Sequence, residues 1–127
     1  MQILLDTHIL IWLVENPAHL SQKTLDVLMD IKNKVYYSLG SIWEIAIKSS
    51  IGRIDIDIYL LVETLEQNDI KPLPINIPHI LKVKDLPMLH KDPFDRILIA
   101  QSICENLTFF TRDEILHGYS NKLIRLV

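Results

Sequence analysis

Glycine is scarce in this sequence. Gly40, Gly52 and Gly118 are the only three among 127 residues. Loops that bind dinucleotides or triphosphates need closely spaced glycines, so that backbone amides can approach the phosphates. No such cluster occurs, and nucleotide-cofactor chemistry loses its main support. Cysteine occurs once, as Cys104, so no internal disulfide can form. Cys104 lies in an apolar helical stretch and is expected to be a small core residue. No apolar run approaches the roughly 20 residues that span a bilayer. The opening Met1-Gln2-Ile3-Leu4-Leu5-Asp6 lacks a basic region and meets an acid at once, so it does not read as a signal peptide. The expected location is the cytoplasm, with no membrane partner. Positive charge is not in excess either, with 13 Lys and Arg against 16 Asp and Glu. That balance argues against coating nucleic acid by bulk electrostatics. It leaves open an enzyme that holds nucleic acid at one metal-loaded cleft, where the cation supplies the positive charge.

Apolar residues make up 49% of the chain, enough for a full core, and the length predicts one domain over residues 1–127. Short apolar strands alternate with longer helical patterns. Strands are expected at 2–5, 35–38 and 107–111, with a further one at 123–126 and an edge strand or loop at 71–75, broken by Pro72 and Pro74. Helices are expected at 9–14, 21–32, 42–50, 57–68, 78–84 and 93–105. This alternation predicts an α/β sandwich on a central, mostly parallel sheet. In such sheets ligands bind beyond the carboxyl ends of the strands.

Acids stand at those ends. Asp6 follows the first strand directly, and Asp113 follows the strand ending at Thr111. Equally, Asp6 with Thr7 can simply cap the next helix. Glu44 lies in Ile42-Trp43-Glu44-Ile45-Ala46-Ile47, apolar on nearly every side. A buried, ionised carboxylate there costs several kcal/mol unless a cation or donor pairs with it. The alternative is an exposed i,i+4 pair with Lys48, worth about 0.2–0.5 kcal/mol. Asp95 lies in His90-Lys91-Asp92-Pro93-Phe94-Asp95-Arg96. Here Asp92 reads as N-cap, Pro93 as the first helical residue and Asp95 as the third-position acid of a capping box. Were Asp6, Glu44, Asp95 and Asp113 to converge, they would repel one another and favour a divalent cation among them. Such a site can acidify a water and brace in-line attack on phosphorus, with no histidine base or covalent nucleophile.

These segments resemble one family. Leu4-Leu5-Asp6-Thr7-His8, Ser41-Ile42-Trp43-Glu44-Ile45, Asp92-Pro93-Phe94-Asp95-Arg96-Ile97-Leu98-Ile99-Ala100-Gln101 and Phe110-Thr111-Arg112-Asp113 are similar, in order, to the four motifs of PIN domains. The wording is closest to the VapC-type toxins. The resemblance implies a three-layer α/β/α PIN fold and Mg²⁺- or Mn²⁺-dependent endoribonuclease activity. It also implies an RNA substrate, a small antitoxin partner in a type II toxin–antitoxin system, and a homodimer. It maps Asp6, Glu44, Asp95 and Asp113 to the catalytic and metal-binding acids, and Thr111 to a hydroxyl beside the fourth. Asp92 is an additional nearby carboxylate, read as a cap before a ligand.

Other residues have plainer readings. Arg96 and Arg112 follow site acids and are candidates to hold phosphates or carboxylates; solvated arginine is the equal alternative. His8 and His90 flank the acids and are expected to orient or hydrogen-bond rather than act as bases. His19, His79 and His117 are expected at the surface. The helices near Trp12, Ile58 and Leu61 are core or dimer face. An aspartate-nucleophile phosphatase needs a second acid two residues after Asp6, where His8 stands. A phospho-acceptor receiver domain fits poorly too, since Arg112-Asp113 follows the late strand where a lysine is wanted. The remaining alternative is a non-catalytic PIN-like RNA-binding or scaffold module, against which the four acids argue.

Overall fold

The computed structural model describes residues 1–120 and 122–127. Its strands are β1 (Gln2–Leu5), β2 (Lys34–Ser38), β3 (Lys71–Leu73), β4 (Thr108–Thr111) and β5 (Ile124–Leu126). They form one sheet in the order β3-β2-β1-β4-β5, and every pairing is parallel. The expected mostly parallel sheet is thus wholly parallel among the described residues. The helices are α1 (Thr7–Glu15), α2 (Gln22–Met29), α3 (Leu39–Ser50), α4 (Ile58–Gln67), α5 (Ile77–Asp85), α6 (Pro93–Glu105) and α7 (Glu114–His117), with a 3₁₀ turn at Pro17–His19.

Strand side chains alternate between sheet faces, and this splits the core into two layers. Ile3, Leu5, Val35, Tyr37 and Phe110 pack with residues of α1 to α4, including Ile9, Leu10, Leu28, Ile45, Leu61 and Leu65. Leu4 and Phe109 point the other way and pack with Leu98, Ile99, Ala100 and Leu116 of α6 and α7. Both faces of the central strands are therefore covered, which is why they read as unbroken apolar runs. The result is a three-layer α/β/α sandwich. No helix among the described residues is long and apolar enough to cross a membrane.

Local chemistry explains most boundaries. Ser38 ends β2 and also caps α3, its hydroxyl accepting the Gly40 N–H at 2.9 Å. The helix therefore starts at Leu39, three residues before the expected Ile42. A Cβ on Gly40 would lie 3.1 Å from Ser38 Oγ and 3.3 Å from Ile97 Cγ2, so glycine permits the close approach of α3 to α6. Gly52, with φ +76°, takes the left-handed conformation just past the end of α3. Within the 71–75 segment Lys71–Leu73 forms an edge strand, the position in a sheet where proline is tolerated. The 3₁₀ turn and α7 are too short to show periodicity and escaped the sequence reading.

Two expectations about burial are corrected. Cys104 is exposed, because the buried run of α6 ends at Ser102 and its last turn projects into solvent. His79 is buried rather than superficial. Its Nδ1 accepts the Asn76 N–H (3.2 Å) while Asn76 Oδ1 accepts the His79 N–H (3.1 Å), a reciprocal cap at the start of α5, and its Nε2 lies 3.2 Å from Glu105. Leu61 proves to be core, and Trp12 and Ile58 pack against that core.

Phe109 is fully buried between the central strands and α6. Phe109→Ala is expected to cost about 3–5 kcal/mol through lost transfer energy and the cavity left behind. Urea unfolding checks this, and a loss below about 1 kcal/mol would contradict the core assignment.

Candidate metal centre

The chain leaves β1 outward through β2 and β3, then returns to β4 on the other side of β1. The gap between the carboxyl ends of β1 and β4 is the switch point at which open parallel sheets bind ligands. Asp6 is the first residue beyond β1, and its N–H extends the ladder to Phe110 O at 2.9 Å. Its Oδ1 accepts the Thr7 N–H at 2.7 Å, capping α1. Its Oδ2 accepts the Thr111 hydroxyl at 2.6 Å. Thr111 Oγ1 in turn accepts the Asp113 N–H at 3.0 Å, so one hydroxyl orients acids from both strands. Burial pushes the Asp6 carboxyl above its ordinary value and nearby Glu44 adds to this, while Thr111, His8 and the Thr7 amide oppose it.

Glu44 faces the sheet from α3 with only 5% of its surface exposed. Both of its sequence readings hold in part. Lys48 Nζ meets Oε2 at 2.8 Å, yet Oε1 is buried with no hydrogen-bond partner among the described residues. A buried carboxylate oxygen without a partner is costly and calls for a cation or donor. One turn earlier, buried Ser41 places its hydroxyl 2.9 Å from that of Thr7, tying α3 to the start of α1. The sequence offers Thr7 only as a cap beside Asp6 and gives the Ser41 hydroxyl no role; the signal for this link is their membership of the acid-bearing motifs.

Asp92 caps α6, its Oδ1 accepting the N–H groups of Phe94 (2.8 Å) and Asp95 (3.1 Å). The capping-box role expected of Asp95 is corrected. The Asp92 N–H donates instead to His90 Nδ1 at 3.0 Å, which leaves the Asp95 carboxylate free to face the other acids. Its carboxyl is pushed up to about 8, first by burial and then by the like charges of Asp6, Asp92, Glu44 and Asp113. Asp113 caps α7 through Oδ1, which accepts the Ile115 N–H at 2.9 Å. Its Oδ2 lies 3.5 Å from His90 Nε2, which lies 3.3 Å from Asp95 Oδ2. His90, Asp95 and Asp113 present donor atoms within 4.8 Å of one another. A cleft of about 350 Å³, lined by Asp6, His8, Trp12, Asp95, Arg112 and Asp113, opens on this cluster.

The arginines divide. Arg96 is buried and donates to the carbonyls of Val83, Leu86, Pro87 and His90 and to Tyr119 Oη. Neither of its two equal readings holds: it meets no phosphate-facing cleft or carboxylate among the described residues and is not solvated, but braces the loop that leads into α6. Arg112 lies 4.5 Å over the Trp12 ring and donates to His19 O (2.9 Å) and Val127 O (3.2 Å), which fixes it as a wall of the cleft.

The PIN domain family model matches residues 3–122. The chain belongs to the PIN domain family. Solved structures agree in fold. VapBC2 from Rickettsia felis, solved bound to a DNA fragment from its promoter, superposes with TM-score 0.75 at 15% identity, covering 99% of this chain and 98% of that one. VapBC-1 from nontypeable Haemophilus influenzae gives TM-score 0.67 at 17% identity, with 98% and 97% covered. A domain of a functionally unknown protein from Methanocaldococcus jannaschii gives 0.61 at 14%, with 99% and 90% covered. No curated protein matches the sequence significantly. In this PIN domain the site suits a hard divalent cation: Asp95 and Asp113 offer carboxylate oxygens beside His90, and nearby Glu44 Oε1 is buried without a hydrogen-bond partner among the described residues.

Asp95 holds its proton up to about pH 8 in the folded, metal-free protein, against an ordinary value of 3.8. The folded state thus binds more protons than the unfolded one across that window, so stability falls as pH rises from about 4 to 8. Asp95→Asn is expected to flatten this slope and to raise the urea midpoint at about pH 8 in EDTA. Parallel pH profiles for the variant and the wild type would contradict it.

Proposed function

We propose that this PIN domain is a Mg²⁺- or Mn²⁺-dependent endoribonuclease, acting in the cytoplasm as the toxin of a type II toxin–antitoxin pair. One observation carries the reading. Carboxylates from four separate segments gather at the β1/β4 switch point, and one of their buried oxygens, Glu44 Oε1, lacks a hydrogen-bond partner among the described residues. PIN membership supports nuclease chemistry, and the VapBC neighbours fit an antitoxin partner.

In this reading Asp6, Glu44, Asp95 and Asp113 hold the cation. When bound, the cation supplies charge to offset the phosphodiester and acidifies a water for attack on phosphorus. Thr111 fixes the rotamer of Asp6 through its 2.6 Å hydrogen bond. Asp92 fixes the first turn of α6 and hence the position of Asp95. Lys48 neutralises one oxygen of Glu44 and leaves the other for the cation. Arg112 and Trp12 wall the cleft, offering a cation and an aromatic face to an unpaired strand.

A homodimer is part of the same proposal. Trp43, Ile47 and Ile51 stand at i, i+4 and i+8 on α3 and its end, and all three are exposed. Such an apolar stripe is the kind of surface that a second copy covers. Trp43→Glu is expected to shift the protein from dimer to monomer in light scattering, and an unchanged mass would remove this face from consideration.

The deciding experiment is cleavage of a mixed RNA pool by antitoxin-free protein with Mg²⁺, Mn²⁺ or EDTA. Cutting is expected with metal only. Asp6→Asn and Asp95→Asn are expected to lose on the order of 100-fold or more, beyond the ~10–100-fold typical of an outer-shell partner. Circular dichroism verifies that both variants fold. Full activity in either folded variant would sink the mechanism.

A further inference from the structure

His90 is held through its N–H, its carbonyl and both ring nitrogens. Its N–H donates to Tyr119 Oη at 2.9 Å, and its carbonyl faces Arg96 Nη1 at 3.4 Å. Arg96 and Tyr119 are themselves bonded at 3.1 Å, so the main chain of His90 is clamped on both sides. The ring is then held at each nitrogen. Nδ1 accepts the Asp92 N–H at 3.0 Å, and Nε2 lies 3.3 Å from Asp95 Oδ2 and 3.5 Å from Asp113 Oδ2.

By spacing alone, His90, Asp95 and Asp113 look like a mixed nitrogen–oxygen ligand set. The far edge of the ring argues otherwise. A ligating histidine presents a lone pair to the metal and donates its other N–H to a carbonyl or carboxylate. Nδ1 of His90 accepts a backbone N–H instead. A hydrogen on Nδ1 would face that N–H donor against donor. With Nδ1 accepting, the ring hydrogen sits on Nε2, the side facing the two carboxylates. Nε2 lies within 3.5 Å of a carboxylate oxygen of each acid, both distances longer than a typical N–H···O bond, so the ring edge faces the two carboxylates together.

We propose that His90 is a positioning residue that ties the Asp95 and Asp113 carboxylates together from outside the cation's own ligand set. It offsets part of their repulsion and turns their remaining lone pairs toward the centre of the cluster. The hydrogen bond from Asp92 links this to the start of α6: the cap residue sets the tautomer, and the tautomer sets the acids. The proposal rests on the cleft being a divalent-metal site.

The test uses ring-¹⁵N-labelled wild type, His90→Ala and His90→Gln, the last placing an amide N–H near the position of Nε2. In metal-free wild type, ring ¹⁵N shifts are expected to report the Nε2–H tautomer. Mn²⁺ affinity by calorimetry is expected to fall ~10–100-fold in His90→Ala and to recover in His90→Gln. Electron paramagnetic resonance of Mn²⁺-loaded wild type is expected to show no directly bound imidazole nitrogen. An Nδ1–H tautomer, a direct nitrogen coupling, or unchanged or tighter Mn²⁺ binding in His90→Ala would overturn the proposal. Failure of wild type to bind Mn²⁺ overturns the metal reading and this role with it. Normal wild-type binding with His90→Ala unaffected overturns the role of His90 alone.

Discussion

Repulsion among carboxylates at the carboxyl ends of β1 and β4 is the constraint on which the rest of the site depends. Asp95 shows it most clearly, since four neighbouring acids add to burial in holding its proton. A fold gains no stability from such a cluster in the absence of a cation. The surrounding contacts are those needed to keep the acids in place despite it. Thr111 bridges Asp6 to the backbone of Asp113, Lys48 takes one oxygen of Glu44, and His90 faces Asp95 and Asp113 together.

Helix capping and ion binding are not rival roles here. A carboxylate has two oxygens and about four lone-pair positions. Asp6, Asp92 and Asp113 each use one oxygen to cap a helix, α1, α6 and α7 respectively. Three helix N-termini thus converge on one edge of the sheet, and their positive ends favour negative charge there. Asp95 is the exception. It caps nothing, because His90 accepts the Asp92 N–H that a capping box would have given it. The most strongly perturbed acid is the one released from local duty.

The loop before α6 owes its shape to Arg96. Its guanidinium gathers the carbonyls of Val83, Leu86, Pro87 and His90 with donors in a fixed plane. The same guanidinium holds Tyr119, which closes the clamp on His90. A residue next to a site acid in sequence therefore acts on the site from behind.

Local periodicity and capping chemistry determined much of this protein from sequence alone. Ile3, Leu4 and Leu5 read as a strand buried on both faces, and Asp92-Pro93 read as a helix start, because strand and helix geometry repeat every two or 3.6 residues. Asp6 and Asp113 were legible as acids at strand ends, Asp95 as an acid in a helix's first turn, and Glu44 as a lone acid in an apolar helical run. Tertiary structure decided what those residues meet. Thr111 and Asp6 are 105 residues apart and become partners only because β4 inserts beside β1. The inward burial of His79, the exposure of Cys104 and the turn of Arg96 away from the acids follow from which layer covers each helix face. No local pattern encodes that, since a helix repeats identically whatever packs against it, and the order of strands in the sheet selects the neighbour.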